Sequence, residues 1–234
     1  MEFDLICIIP LFGYDCGRVA SRMCASLTSI VTTKQIKIVF IYDMTVSVQS
    51  LFTILQIMKS VENKNISMDF IFSEKTSSGY KRNLGIDKYH SHCKLIWLLD
   101  QDDWLLSDSF DNIIDVALET INSGNPCIMV PFQRPIIDGL YTNIDTVLSM
   151  PWQYIYNPQV ASNYRFDETI EMGSDIPFVI GILTDYNLYD PITGSIKAIR
   201  YDKPIYYYNY MNVNSESRRC LVSDINEGKY DEVH

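Results

Sequence analysis

The sequence predicts an α/β fold: a mainly parallel, Rossmann-like sheet with helices on both faces, continued by an irregular C-terminal half. Three observations carry this. Uncharged apolar runs alternate with helix-period stripes through the first 125 residues. The fourth such run ends abruptly in carboxylates. After about residue 126 the rhythm gives way to a stretch rich in Pro, Tyr, Trp and Asn.

Leu5 to Leu11 reads as a buried strand stopped by Pro10 and Gly13, and Val19, Met23, Leu27 and Ile30 then recur at helical spacing. Ile36 to Tyr42 is a second buried strand, ending at Asp43. Ser47 caps a helix whose expected apolar face is Val48, Leu51, Phe52, Leu55, Met58 and Val61. Met68 to Phe72 is a third strand. Residues 77–89 begin polar and glycine-bearing and continue as a helix. Leu95 to Leu99 is the fourth strand, and Phe110, Ile113, Ile114, Ala117, Leu118 and Ile121 form a helical stripe ending at Gly124. Cys127 to Phe132 reads as one more strand. Residues 133–165 show weak periodicity, Ile176 to Leu183 reads as an apolar helix, and Ile196 to Tyr201 and Ile205 to Tyr210 read as strands. The acidic tail from Val222 reads as a surface segment.

At 234 residues, 47% hydrophobic and 21% charged, the chain is long enough for a sizeable core in one large domain, or in a domain with a short extension. A net charge of −10 leaves no basic stripe for a nucleic-acid backbone. The six cysteines form no Cys-x-x-Cys, and four lie in or beside apolar runs, as in a reduced, cytoplasmic protein. The histidines His90, His92 and His234 form no zinc pattern, and His90-Ser91-His92 reads as a polar loop. Met1-Glu2-Phe3-Asp4 is acidic where a secretory leader is basic, and no apolar run approaches the roughly 18 residues of a membrane span. No Gly-x-Gly-x-x-Gly follows the first strand and there is no Walker A loop, so dinucleotide and P-loop readings lack support.

The strand ends carry the chemistry. Asp43 ends the second strand, Lys81-Arg82-Asn83 follows the third, and Asp100-Gln101-Asp102-Asp103 ends the fourth. In a parallel sheet these ends share one edge, where open α/β folds bind ligands. Three carboxylates within four residues repel unless a cation neutralises them, so the Asp-x-Asp is a candidate divalent metal site. Asp43 would accept from base and ribose, Arg82 would meet phosphate, and the edge suits a nucleoside diphosphate. The plainer alternatives are an acidic helix-capping turn for Asp100 to Asp103, a turn residue for Asp43 and a surface charge for Arg82. Further on, Asp175 precedes Pro177 at a helix start, where the helix dipole favours an ionised carboxylate; the alternative is a structural N-cap.

These blocks together resemble the family 2 glycosyltransferases of the GT-A fold, in their usual order and over most of the chain. Ile8-Ile9-Pro10-Leu11-Phe12 is similar to the opening strand, with Gly13 where the family has Asn. Ile41-Tyr42-Asp43 is similar to the acidic end of the second strand, with Met44-Thr45-Val46 in place of Asp-Gly-Ser. Gly79-Tyr80-Lys81-Arg82-Asn83-Leu84-Gly85 resembles the Ala-Arg-Asn-x-Gly block. Leu99 to Leu105 resembles the metal motif almost letter for letter. Phe166-Asp167-Glu168 with Gly173-Ser174-Asp175 is similar to the later acidic block, Ser174 replacing Glu. Tyr206-Tyr207-Tyr208 with Ser215-Glu216-Ser217 is similar to the closing segment, without its His.

The resemblance implies inverting transfer of a sugar from a nucleotide-diphosphate donor, a UDP-sugar, to a hydroxyl acceptor on a glycan or similar molecule. It implies donor contacts from Pro10, Phe12, Tyr14, Asp43, Arg82, Asn83 and Asp100. It implies Mn²⁺ or Mg²⁺ on Asp102 with Asp100, and a general base at Asp175 facing the metal across a gap wide enough for a sugar. Asp103, Trp104, Trp152 and Tyr154 are the acceptor-side candidates, with a core aromatic as the alternative for Trp152. The expected layout is one domain over 1–234: a nucleotide-binding half (1–125), an acceptor-side half (126–221) and the tail (222–234). Two rival activities fit parts of the pattern: a nucleotidyltransferase, and a catalytically weak nucleotide- or sugar-binding protein of the same fold.

Overall fold

Leu5–Pro10 (β1) is the centre of a six-stranded sheet, and every one of its residues is buried. The computed structural model describes residues 2–60, 63–106, 110–135, 141–144, 150–169 and 175–208. Val61, Gly173, Ser174, Tyr210, Ser215–Ser217, Cys220, His234 and the acidic tail lie outside the described residues.

The elements of the first half follow in the expected order. They are β1, α1 (Cys16–Val19), α2 (Ser21–Thr28), β2 (Ile36–Tyr42), α3 (Val48–Met58), β3 (Ile66–Phe72), α4 (Ser78–Tyr89) and β4 (Ile96–Leu98). Next come β5 (Trp104–Leu105), α5 (Phe110–Asn122), β6 (Cys127–Met129), β7 (Phe132–Pro135), β8 (Tyr141–Ile144), β9 (Tyr154–Tyr156), α6 (Pro158–Asn163), α7 (Asp175–Asp185) and β10 (Tyr206–Tyr207). The main sheet runs β3-β2-β1-β4-β9-β6, with β3, β2, β1 and β4 parallel and β9 antiparallel to both neighbours. A second sheet runs β5-β10-β7-β8.

Alternation along β1 splits the core into two layers. Leu5, Cys7 and Ile9 pack with Met23, Leu27, Ile54 and Ile113 on one face, while Ile6 and Ile8 pack with Ile86, Phe178 and Ile182 on the other. Helices therefore cover both faces, and a strand buried on both sides reads as a continuous apolar run. The chain lays down β2 and β3 on one side of β1 and then returns to place β4 on the other. The crevice between the C-terminal ends of β1 and β4 is the topological switch point, the usual ligand position in such sheets.

Four expectations need correction. The stripe from Val19 to Ile30 is two short helices rather than one. The α3 helix is capped by Ser47, whose hydroxyl accepts from Ser50 N at 3.1 Å, but it buries Ser50, Ile54 and Met58 and leaves Val48 83% exposed and Phe52 52% exposed. Its apolar residues surround most of the helix, so spacing alone does not select the buried face. The run Cys127 to Phe132 divides between two sheets. Pro131 has no N–H to continue the ladder, and the chain passes from β6 into β7 there. The expected strands at 196–201 and 205–210 reduce, among described residues, to isolated bridges at Ile196 and Arg200 and to β10.

Candidate active site

The site is built around α4, a helix with an unusual buried face. Ser77 caps it, accepting from Tyr80 N at 3.2 Å. Two glycines let it lie close to its supports. A Cβ on Gly85 would fall 2.8 Å from Ile8 Cγ2 and 2.9 Å from Ile41 Cδ1, and one on Gly79 would fall 2.8 Å from the Asp167 carbonyl oxygen. The approach carries Lys81, Arg82 and Asn83 into the interior, at 0%, 3% and 3% exposure. Buried charge and buried amides are costly unless partnered, and each of the three side chains meets partners of its own.

Arg82 joins two of the expected site residues. Its Nη2 donates to Asp100 Oδ1 at 2.5 Å and its Nη1 to Asp175 Oδ1. Its guanidinium lies 5.4 Å from the Phe166 ring centre. Asp100 follows β4, and Asp175 opens α7. The gap expected between base and metal residues is therefore spanned in this structure by the Arg82 guanidinium. Burial pushes the Asp175 carboxyl above the usual carboxylate range; Arg82 pulls it down and Asp100 pushes it up. Asp175 stands at the start of its helix as expected, and its ion pair with Arg82 favours the ionised form while burial opposes it.

Asn83 fixes the segment before α7. Its amide donates to Phe166 O at 3.0 Å and to Glu168 Oε1 at 3.1 Å, and its carbonyl accepts from Phe166 N at 3.1 Å. Phe166 in turn stacks on Phe178 of α7, with ring centres 4.0 Å apart. Asn83 thus holds the scaffold that presents Asp175, instead of turning its amide to the crevice.

In the sequence Lys81 stands out only as part of its block, and the structure gives it a central place. Its Nζ lies 2.6 Å from Asp43 Oδ2, donates to Leu11 O at 2.6 Å and sits 3.9 Å from the Phe12 ring centre. Asp43, 2% exposed, also accepts from Thr45 N at 2.7 Å and Thr45 Oγ1 at 2.5 Å. Burial raises its carboxyl, but Lys81 and Thr45 outweigh that and hold it below the usual range. Gln101, the second residue of the acidic motif, bonds the same loop twice: its Oε1 accepts from Phe12 N at 2.9 Å and its Nε2 donates to Phe12 O at 3.3 Å. These non-local partners are what the sequence patterns do not show. The Tyr14 ring is 78% exposed, while its carbonyl accepts from Ser50 Oγ at 2.7 Å.

Pro10, Phe12, Arg82, Asn83, Asp100 and Asp175 are thus tied to one edge, with Asp43 behind it. Asp102 is half-buried beside them. Asp103 instead turns inward: it is 1% exposed and accepts from the Tyr206 hydroxyl, which also accepts from Asp100 N at 3.4 Å. Trp104 stacks on Tyr207 with ring centres 3.6 Å apart, and Arg22 lies 5.2 Å from its ring. Trp152 and Tyr154 are both fully buried. Trp152 stacks on Tyr206 and Tyr208 at 4.5 and 5.1 Å, as the core-aromatic alternative expects, and neither ring is open to a sugar.

Among the described residues, no group of three or more His, Cys, Asp or Glu side chains is placed to enclose a metal ion. Asp102 and Asp100 supply the hard oxygen donors that Mg²⁺ or Mn²⁺ takes. Mg²⁺ is commonly held by one or two carboxylates together with substrate phosphates, and these residues fit that mode.

No family model matches the chain, and no curated protein matches it. Solved structures do. The S. aureus TarS 1–349 complex with UDP superposes with a TM-score of 0.64 at 15% identity, covering 89% of this chain and 60% of that one. The TarS complex with UDP-GlcNAc gives 0.62 at 16% identity, covering 89% and 58%. The mannosyltransferase PcManGT from Pyrobaculum calidifontis, in complex with GDP-Man and Mn²⁺, gives 0.60 at 10% identity, covering 100% and 66%. The chain thus spans about 60% of the TarS segment it matches. The shared architecture is the GT-A fold, a mostly parallel six-stranded sheet flanked by helices.

Proposed function

We propose that this chain is a metal-dependent, inverting glycosyltransferase that moves a sugar from a nucleotide-diphosphate donor, a UDP-sugar, to a hydroxyl of a glycan or similar acceptor. The observation that carries this reading is the Asp100–Arg82–Asp175 bridge at the switch point. It brings one cation and two carboxylates from β4, α4 and α7 to the place where a nucleotide binds in open α/β sheets. In this reading residues 1–125 hold the donor and residues 126–221 face the acceptor. The TarS and PcManGT complexes, with UDP, UDP-GlcNAc and GDP-Man, support the donor class by analogy of fold.

Arg82 meets the donor diphosphate, whose oxygens compete with Asp100 and Asp175 for the guanidinium and release both carboxylates. Asp102, with Asp100, would hold a divalent cation, which supplies charge neutralisation at the departing diphosphate. Asp175 accepts the acceptor hydroxyl's proton as that oxygen attacks the anomeric carbon from the face opposite the diphosphate. The new C–O bond forms as the sugar–phosphate bond breaks, and the diphosphate leaves with the electron pair. Desolvation of Asp175 raises its basicity, which suits a general base.

The five described cysteines are buried free thiols, with burial pushing Cys16 up to about 11 and Cys24 to about 12, and we place the protein in the cytoplasm. A nucleotidyltransferase needs a cationic loop after β1. The one cation there, Arg18, pairs with Asp15 on the surface.

The test is transfer from a panel of UDP-sugars with Mn²⁺, measured beside UDP affinity in the same preparation. Asp175→Asn is expected to lower turnover by roughly 10²–10⁴-fold without lowering UDP affinity, because it weakens a competitor for Arg82. A variant at full rate removes Asp175 from the reaction, and one that loses UDP binding and rate together marks it as structural.

A further inference from the structure

Asp43 stands where the sequence expects an acceptor for the N–H groups of the donor's base, yet its carboxylate is closed off. Its side chain is 1% exposed, one oxygen is ion-paired with the Lys81 ammonium at 2.6 Å, and the other takes both hydrogen bonds from Thr45. Burial and the ion pair together keep this carboxylate turned to the protein interior. The same ammonium bonds Leu11 O and lies 3.9 Å from the Phe12 ring centre, while Gln101 holds the Phe12 backbone from the other side.

Resting on the donor-site reading above, we infer that the buried Lys81–Asp43 pair is a positioning unit that fixes the Leu11–Phe12 loop as a stacking floor, and that the base subsite accepts a nucleobase without reading its hydrogen-bonding edge through Asp43. The physical consequence is tolerance. A carboxylate paired with a base edge separates right from wrong bases by roughly 5- to 150-fold, and a stacking surface is sequence-tolerant. Uracil and cytosine differ at that edge: N3 is a donor in uracil and an acceptor in cytosine.

The experiment is calorimetric titration of UDP and CDP, with Mn²⁺, into wild type and Asp43→Asn. Asn keeps the shape and leaves a carbonyl for Lys81, and a melting curve checks that the variant is folded. The expected result is a UDP:CDP affinity ratio within about fivefold in wild type, changed less than about twofold in Asp43→Asn, with any loss of affinity shared by both nucleotides. A larger wild-type ratio that collapses in Asp43→Asn overturns the inference and makes Asp43 a base reader. If Asp43→Asn does not fold, the wild-type ratio alone decides. Binding of neither nucleotide to wild type overturns the donor-site reading itself, a result distinct from a high ratio.

Discussion

Two consecutive helices of similar length, on opposite faces of the sheet, invert the usual division between inside and outside. The α3 helix carries Val48 and Phe52 at 83% and 52% exposure. The α4 helix buries Lys81, Arg82 and Asn83 at 3% or less. Apolar residues scattered on a surface are common, whereas a buried charge marks something specific. The polar helix is the one that lines the crevice at the switch point, and its buried charges are held by carboxylates from three other elements. The comparison teaches that in this molecule the location of polar burial, not of apolar burial, points to the site.

Breaking α4 should cost far more than altering α3. Lys81→Met leaves the Asp43 carboxylate buried without its cation, and removing one partner of such a pair costs about 3–5 kcal/mol. Urea unfolding, read as a shift of the midpoint at constant slope, checks this. A variant within about 1 kcal/mol of wild type would mean that the pair is not held as the structure shows.

The α5 helix is the intermediate case: a buried apolar stripe with one polar anchor. Asp111 in its first turn accepts from Thr32 Oγ1, from Thr33 N at 3.0 Å and from Thr33 Oγ1 at 2.7 Å. Burial raises its carboxyl, and these bonds outweigh that and hold it below the usual value of 3.8. A depressed folded-state pKa contributes stability above the unfolded value, lost as pH falls through the folded one. Asp111→Asn is therefore expected to cost about 1 kcal/mol between pH 5 and 7, with the difference from wild type shrinking below pH ~4. Paired melting curves over that range test it, and a difference that grows in acid would contradict it. At the small end, Val48→Ala on α3 should change stability by less than about 0.5 kcal/mol, because its side chain is mostly in water. A larger loss in the same denaturation assay would show that this face of α3 is covered.

Much of the first half is legible in the sequence because strands buried on both faces read as continuous apolar runs. The bounds Ile36–Tyr42 of β2 and the buried Phe110, Ile113, Ile114 and Ala117 of α5 follow directly. What is not legible depends on partners distant in the chain. Lys81 counts as a surface residue in any periodicity, and its burial reflects partners just past the ends of other strands, among them Asp43, Leu11 and Phe12. Trp152 and Tyr154 show the converse limit. An aromatic residue in an irregular segment suits a sugar platform or a core equally well, and the rings of Phe132, Tyr206 and Tyr208 settle Trp152 in the core. The acidic motif is likewise read as a unit, yet its members separate. Asp100 meets Arg82, Gln101 clamps the first loop and Asp103 turns inward to Tyr206.

The central claim is that the end of β4 holds a metal-assisted nucleotide-diphosphate site, and metal-dependent UDP binding tests it most directly. Titrating UDP into wild type with Mn²⁺, into wild type with a chelator, and into Asp102→Asn with Mn²⁺ gives three affinities. The account predicts binding in the first case and at least ~10-fold weaker binding in the other two, in line with loss of a residue that would hold the metal. Equal affinity in all three would contradict it.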